Sequence, residues 1–186
     1  MVIIGYVVLC LGVLTFFISI KMFLKVQRAK EVFFSQGIGQ KEFNFEINSP
    51  ARYFSISFTG GMSVNTDANF NIRLTDMVGN SIAVSKELMM FRSFYKSKPC
   101  VEVYSFKCLP GSYSLVLDAV EGLEVKKSML RFKQLFQKPI NHNNVGLLIR
   151  GTLSFKEKLM MMVFLVVGIL LINFGSFMVA FNNIQH

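Results

Sequence analysis

The sequence predicts a membrane-anchored all-β protein: an antiparallel β-sandwich of about seven or eight strands, of Ig-like or jelly-roll type, between two transmembrane helices. Three observations carry this. Each end of the chain holds a long apolar run almost free of charge, and the middle has ordinary polarity. Within that middle the hydrophobic period changes from 3.6 to 2. Turn chemistry then recurs between the alternating runs.

The first apolar run, Val2–Ile20, contains no charged residue. At 1.5 Å per residue its 19 residues span roughly the ~30 Å hydrocarbon core. It starts directly at Val2, without the basic leader and small-residue cleavage site of a signal peptide, so it reads as a retained anchor. The second, Leu159–Phe181, is 23 residues long and has Asn173 as its one strongly polar residue. In both runs small residues recur every seven positions: Gly5, Gly12 and Ser19, then Gly168 and Gly175. Small side chains on one face let helices approach closely in lipid, so Gly5, Gly12, Ser19, Gly168, Asn173 and Gly175 are the expected helix-packing set. Asn173 is expected to hydrogen-bond across helices, and the same faces offer a route to homo- or hetero-oligomers.

After the first run, Lys21–Phe34 still carries a helical pattern and reads as an extension ending at Gly37 and Gly39. The domains expected are 1–35, transmembrane helix with extension; 36–142, β-sandwich; and 143–186, juxtamembrane segment and second transmembrane helix. In the sandwich, Phe43, Phe45 and Ile47 alternate with polar residues, as do Phe54, Ile56 and Phe58, and Phe70, Ile72 and Leu74. Each run reads as a half-buried strand. Ile82–Val84 and Phe91–Tyr95 suggest further strands. Val101–Lys107 and Tyr113–Val120, joined through Pro110-Gly111, read as the clearest hairpin. Leu123–Val125 and Met129–Phe136 supply the last strands. Asn144 is placed to cap a short helix over Val145–Arg150 leading into the second span.

The formal net charge is +9. Such a balance suits nucleic acid, acidic partners or anionic lipid. The cations gather beside the apolar ends, at Lys21, Lys25, Arg28 and Lys30 and again at Arg150, Lys156 and Lys158, so headgroups explain them better than nucleic acid does. The outer ends, Met1 and Asn182–His186, carry no Lys or Arg. The positive-inside rule therefore puts the domain in the cytoplasm, with an extracytoplasmic domain as the alternative, in a plasma or inner membrane.

No catalytic, cofactor-binding or metal constellation is legible. His142 and His186 lack partners in sequence, Gly60-Gly61 precedes no phosphate-binding helix, and Asp67, Asp76 and Asp118 lack calcium-loop spacing. The pair Met89-Met90 reads as sandwich cover, and the three methionines Met160 through Met162 as lipid contact. Cys100 and Cys108 flank an extended segment that would hold them ~26 Å apart, too far for a disulfide. The densest charged stretch, Lys86, Arg92, Lys96 and Lys98 with Phe94 and Tyr95 interleaved, is the candidate contact for a protein partner of unknown identity. Two functions follow: a non-enzymatic two-pass protein presenting an interaction module at the membrane (accessory subunit, immunity-type inhibitor or sensor), or a structural or transport-assisting subunit assembled through its helices.

Overall fold

The computed structural model describes residues 2–88 and 90–184, with side chains described from Ile3 to Phe181 within these. His186 and Met89 lie outside the described residues. The chain divides into two compact units, residues 1–28 with 153–186, and residues 29–152.

The first unit is a pair of antiparallel helices, α1 (Val2–Gln27) and α3 (Phe155–Ile184). Both are long and apolar enough to cross a membrane by length and composition. Large apolar side chains such as Val7, Leu11, Leu14, Val166, Leu170 and Phe174 point outward along most of their length. Gly5, Gly12, Ser19, Gly168 and Gly175 lie on the buried strip of these helices, with Val26, Lys158 and Met161 toward their Gln27 and Phe155 ends. A methyl at Gly12 would lie 2.7 Å from the Ile172 backbone nitrogen, and one at Gly175 2.7 Å from that of Leu9.

Every strand pairing in the second unit is antiparallel. Its strands are β1 (Glu31–Gln36), β2 (Glu42–Ile47), β3 (Tyr53–Thr59), β4 (Ser63–Thr66), β5 (Asn71–Asp76) and β6 (Ser81–Ile82). They continue as β7 (Val84–Lys86), β8 (Arg92–Tyr95), β9 (Lys98–Lys107), β10 (Gly111–Asp118), β11 (Leu123–Lys126) and β12 (Gly146–Gly151). A five-residue helix, α2 (Arg131–Leu135), lies between β11 and β12. One sheet runs β1-β12-β3-β9-β7, with β8 also on β9; a second runs β2-β10-β5-β6; β11 and β4 form a separate pair.

Alternation explains the layering. Phe54, Ile56 and Phe58 of β3 enter one hydrophobic cluster with Phe43, Phe45 and Ile47 of β2 and Leu115 and Leu117 of β10. Each such side chain contributes roughly 1.5–3 kcal/mol by leaving water. Leu147 pairs with Phe58 and Ile149 with Ile56, so a one-residue slip of β12 would turn Leu148 and Arg150 into the cluster. Where β9 meets β3 the register shifts between Ile56 and Ser57, a bulge that adds Val103 to β9.

Several expectations are corrected. Twelve strands replace the seven or eight, among the described residues. The helical extension stops at Gln27, and the segment holding Phe33 and Phe34 is strand β1. Pairing with β12 and the packing of Phe33 on Phe43 and Phe45 override the local helical pattern. Val145–Arg150 forms no helix: it becomes β12, buried along its whole length, and a continuous apolar run is what such a central strand needs. The compact β unit runs over residues 29–152, adding 29–35 and 143–152 to the expected 36–142. Asn141, rather than Asn144, caps locally, its side chain accepting from the Asn143 N–H. β9 and β10 are not a hairpin, since Pro110-Gly111 passes the chain from one sheet to the other. Ile82–Val84 splits between two sheets at Ala83, and Met129–Phe136 is an exposed helical loop.

Candidate functional site

Besides the short β5–β6 hairpin, the β unit has a hairpin at β8–β9, pairing Arg92 with Val101 through Tyr95 with Lys98. Its two-residue turn is Lys96-Ser97, with φ of 46° and 63°. Two successive left-handed residues are the geometry that Asn-Gly ordinarily supplies, and for other residues it costs roughly 1–2 kcal/mol per position. The surroundings fix the turn. Lys96 Nζ lies 5.1 Å from the Phe34 ring centre, 4.9 Å from that of Tyr95 and 3.9 Å from Glu31 Oε2. The Phe34 and Tyr95 rings are 5.0 Å apart, and the Tyr95 hydroxyl donates to Glu31. Loss of water around the ring, then the bond to Glu31, raises the Tyr95 pKa above its ordinary value, so the phenol stays a donor at neutral pH.

Because Tyr95 and Lys96 reach β1, and because Arg150 Nη2 of β12 donates to Ser93 Oγ at 2.7 Å, the hairpin lies across the outer face of the first sheet. Beneath it is a buried polar layer. Alternation in β3 turns Ser55, Ser57 and Thr59 to the face opposite the core, where they join Cys100 and Glu102 of β9 and Arg150 of β12. Thr152 Oγ1 donates to Glu102 Oε1 at 3.2 Å. Burial pushes the Cys100 thiol above its ordinary pKa, against the pull of Arg150, Ser57 and Ser93. Arg150 Nε has no hydrogen-bond partner among the described residues.

Of the six residues expected to contact a partner, Arg92, Tyr95 and Lys96 also fasten the hairpin, and Lys86 of β7 bonds to β4. Lys86 Nζ donates to Thr66 Oγ1 at 2.8 Å, Arg92 Nε donates to the Met62 carbonyl at 2.9 Å, and Tyr95 and Lys96 tie to β1. Phe94, at 67% exposure, and Lys98 face outward. Glu31, Phe34, Ser93 and Arg150 complete the arrangement. The Ser55-x-Ser57-x-Thr59 alternation signalled a polar face, but nothing local announced what covers it.

Among the expected helix-packing residues, the structure brings Gly5, Gly12, Gly168 and Gly175 to the α1–α3 contact. Ser19 Oγ donates to the Met161 carbonyl at 2.9 Å, which buries Met161 while Met160 and Met162 stay exposed. Asn173 bonds within its own helix, to the Ile169 carbonyl at 2.8 Å, and not across. A carbonyl one turn back is always within reach, whereas a partner on α1 is not.

Elsewhere, His142 Nε2 lies 2.9 Å from the Leu123 carbonyl oxygen. Asp67 and Asp76 close turns, Asp76 accepting from the Val78 and Asn80 N–H groups, and Asp118 pairs with Arg73 at 2.7 Å. Among the described residues no three His, Cys, Asp or Glu side chains gather as a metal-holding group. Cys100 and Cys108 are free. No protein-family model matches the chain, and no curated protein matches it in sequence.

Proposed function

We propose that the chain is a non-enzymatic two-pass membrane protein whose β unit is an interaction module, with Phe94 and Lys98 on the fastened hairpin as the contact for a protein partner. The observation that carries the membrane part is the inverted polarity of the helix pair. Its seam carries Gly5, Gly12, Ser19, Gly168 and Gly175 over most of its length, and its outer surface is Val7, Leu11, Leu14, Val166, Leu170 and Phe174, a distribution suited to lipid and costly in water. The hairpin supports the module part. A strained turn held by two rings and a carboxylate presents a large exposed aromatic beside a cation, the residue types that anchor protein contacts.

The β unit is read as a sandwich of jelly-roll rather than Ig-like type. Supporting this, the chain crosses between the two main sheets at β1 to β2, β2 to β3, β6 to β7 and β9 to β10, and keeps hairpins within one sheet at β5–β6 and β8–β9. The domain is assigned to the cytoplasm on the basic residues flanking the helices, of which Lys21, Lys25, Arg28, Lys30 and Lys156 are exposed.

A photoreactive amino acid replacing Phe94 in the full-length protein tests the reading in cells. A discrete adduct is expected that Lys98→Glu abolishes while Gly12→Leu leaves it intact. An adduct lost with Gly12→Leu but indifferent to Lys98→Glu would favour assembly through the helices, as a structural or transport-assisting subunit. Absence of any adduct from position 94 would remove the proposed contact.

A further inference from the structure

The segment between β11 and β12 is turned inside out. Met129, Leu130, Phe132, Leu135 and Phe136 are between 52% and 80% exposed, and the Phe132 and Phe136 rings pack edge to face at 5.4 Å. The polar groups look inward. Gln134 Nε2 donates to the Ser128 and Met129 carbonyls at 3.1 Å, Gln137 Oε1 accepts from the Ser128 N–H, and Ser128 Oγ accepts from the Leu130 N–H. The amides thus hold the backbone while the apolar groups face solvent. A loop whose apolar residues served the core would be arranged the other way.

Its charge is one-sided. Lys127, Arg131, Lys133 and Lys138 are exposed, and residues 126–139 contain no Asp or Glu. Cations alternate with the apolar groups in Leu130-Arg131-Phe132-Lys133. A protein groove would have to match each of these charges separately. A lipid interface accepts them together, since long basic side chains reach phosphates while their apolar neighbours enter the acyl boundary.

The neck of the loop is fixed. The Ile140 N–H donates to the Val125 carbonyl at 2.8 Å and the Met62 N–H to that of Lys126 at 2.9 Å. This neck follows Thr59, at one end of β3, whereas Glu31 and Gly151, the first and last strand residues of the β unit, lie at the other end of their sheet.

We propose that residues 127–138 form a docking site for an anionic phospholipid bilayer, with the five apolar side chains entering the interface and the four cations taking lipid phosphates. The site is separate from the contact at Phe94 and does not depend on it. To test it, the full-length protein is placed in nanodiscs of neutral phosphatidylcholine and floated with vesicles of phosphatidylcholine alone or with added phosphatidylglycerol. Co-flotation is expected with the anionic vesicles only. Phe132→Asp with Phe136→Asp should weaken it at least tenfold, and Arg131→Gln with Lys133→Gln about fivefold per cation removed. All four positions are exposed, so circular dichroism should match the parent. Equal flotation with neutral vesicles, or none with anionic ones, overturns the proposal. So does binding to the soluble polyanion heparin that equals vesicle binding and survives the Phe132 and Phe136 changes. Failure of the protein to enter the discs at all would instead count against the transmembrane reading.

Discussion

Alanine substitution at the four helix glycines should give effects ordered by what each new methyl meets. At Gly12 it would lie 2.7 Å from the Ile172 nitrogen and 2.9 Å from Leu171 Cβ; at Gly175, 2.7 Å from the Leu9 nitrogen. Backbone cannot rotate aside, so the helices must separate by about 0.7 Å to restore ordinary contact near 3.4 Å. A gap of 0.5–1 Å forfeits roughly a quarter to a half of the dispersion well for the atoms along it, and overpacking costs typically ~1–3 kcal/mol. Against this, Ala gains about 1 kcal/mol over Gly in helix propensity. The balance is a loss of up to about 2 kcal/mol at Gly12 and Gly175. Gly168, 2.9 Å from the Phe16 nitrogen, falls slightly below them. Gly5 differs in kind, because the nearest atom is the Val179 Cγ2 methyl at 3.1 Å, which can yield. There propensity should win, for a change between zero and about 1 kcal/mol stabilising. The assay is SDS titration of full-length protein in mild detergent, followed by energy transfer between dyes at the outward-facing Leu14 and Leu170 after replacement of the native cysteines. Uniform stabilisation at all four positions, or Gly5→Ala as the most damaging, would refute the reasoning.

Three further outcomes are expected. Ser97→Gly relieves a left-handed φ and should stabilise the β unit by roughly 0.5–1 kcal/mol, raising the unfolding midpoint by ~1–4 °C, while Ser97→Val lowers it. Burial pushes the Cys108 thiol up to about 11, so at about pH 8 its thiolate fraction, and its alkylation rate by iodoacetamide, should be about one hundredth of an ordinary thiol's. Sidedness therefore needs a reporter such as Val78→Cys, at an 85% exposed position, which maleimide should reach only after permeabilisation if the β unit is cytoplasmic. Ser93→Ala removes an acceptor from the buried Arg150 guanidinium and should cost ~1.5–3 kcal/mol in a denaturant melt of the full-length protein; a loss under ~0.5 kcal/mol would show that Arg150 does not depend on that bond.

What could be read from sequence was whatever local physics decides alone. Absence of charge over a whole span marks α1 and α3 without reference to anything else. Strict alternation marks β2, β3 and β10, because each has one face on the core. β12 escaped for the opposite reason: it is buried on both faces, so Val145 through Ile149 show no period, and a continuous apolar run suits helix and central strand alike. β1 escaped because its cationic approach continues the rhythm of a genuine helix, and only pairing with β12 overrides it. Pro110-Gly111 correctly announced a reversal, but a turn specifies local geometry and not which sheet receives the next strand. Lys96-Ser97 lacked the usual turn residues, since its conformation is imposed by Phe34 and Glu31, more than sixty positions away. The loop around α2 misled most, because Leu130, Phe132 and Phe136 suggested a strand and composition says nothing about which way a side chain faces.

The longest-range pairings share one dependence. β1 sits at a sheet edge with β12 as its neighbour, and α1 has α3. Glu31 pairs with Arg150, and Gly12 meets Ile172. Closing loops this long costs little more than closing half their length, because the entropy grows only logarithmically. The constraint is order rather than energy: neither contact can form until nearly the whole chain exists. In the meantime the second sheet can assemble from β2, β10 and β5, all complete by Asp118. The first sheet cannot, since β12 lies between β1 and β3 and supplies Leu147 and Ile149 to the core. Damage to β12 should accordingly be felt on both of its sides, detaching β1 and baring β3, whereas damage to the edge strand β6 would remove only two paired residues from β5.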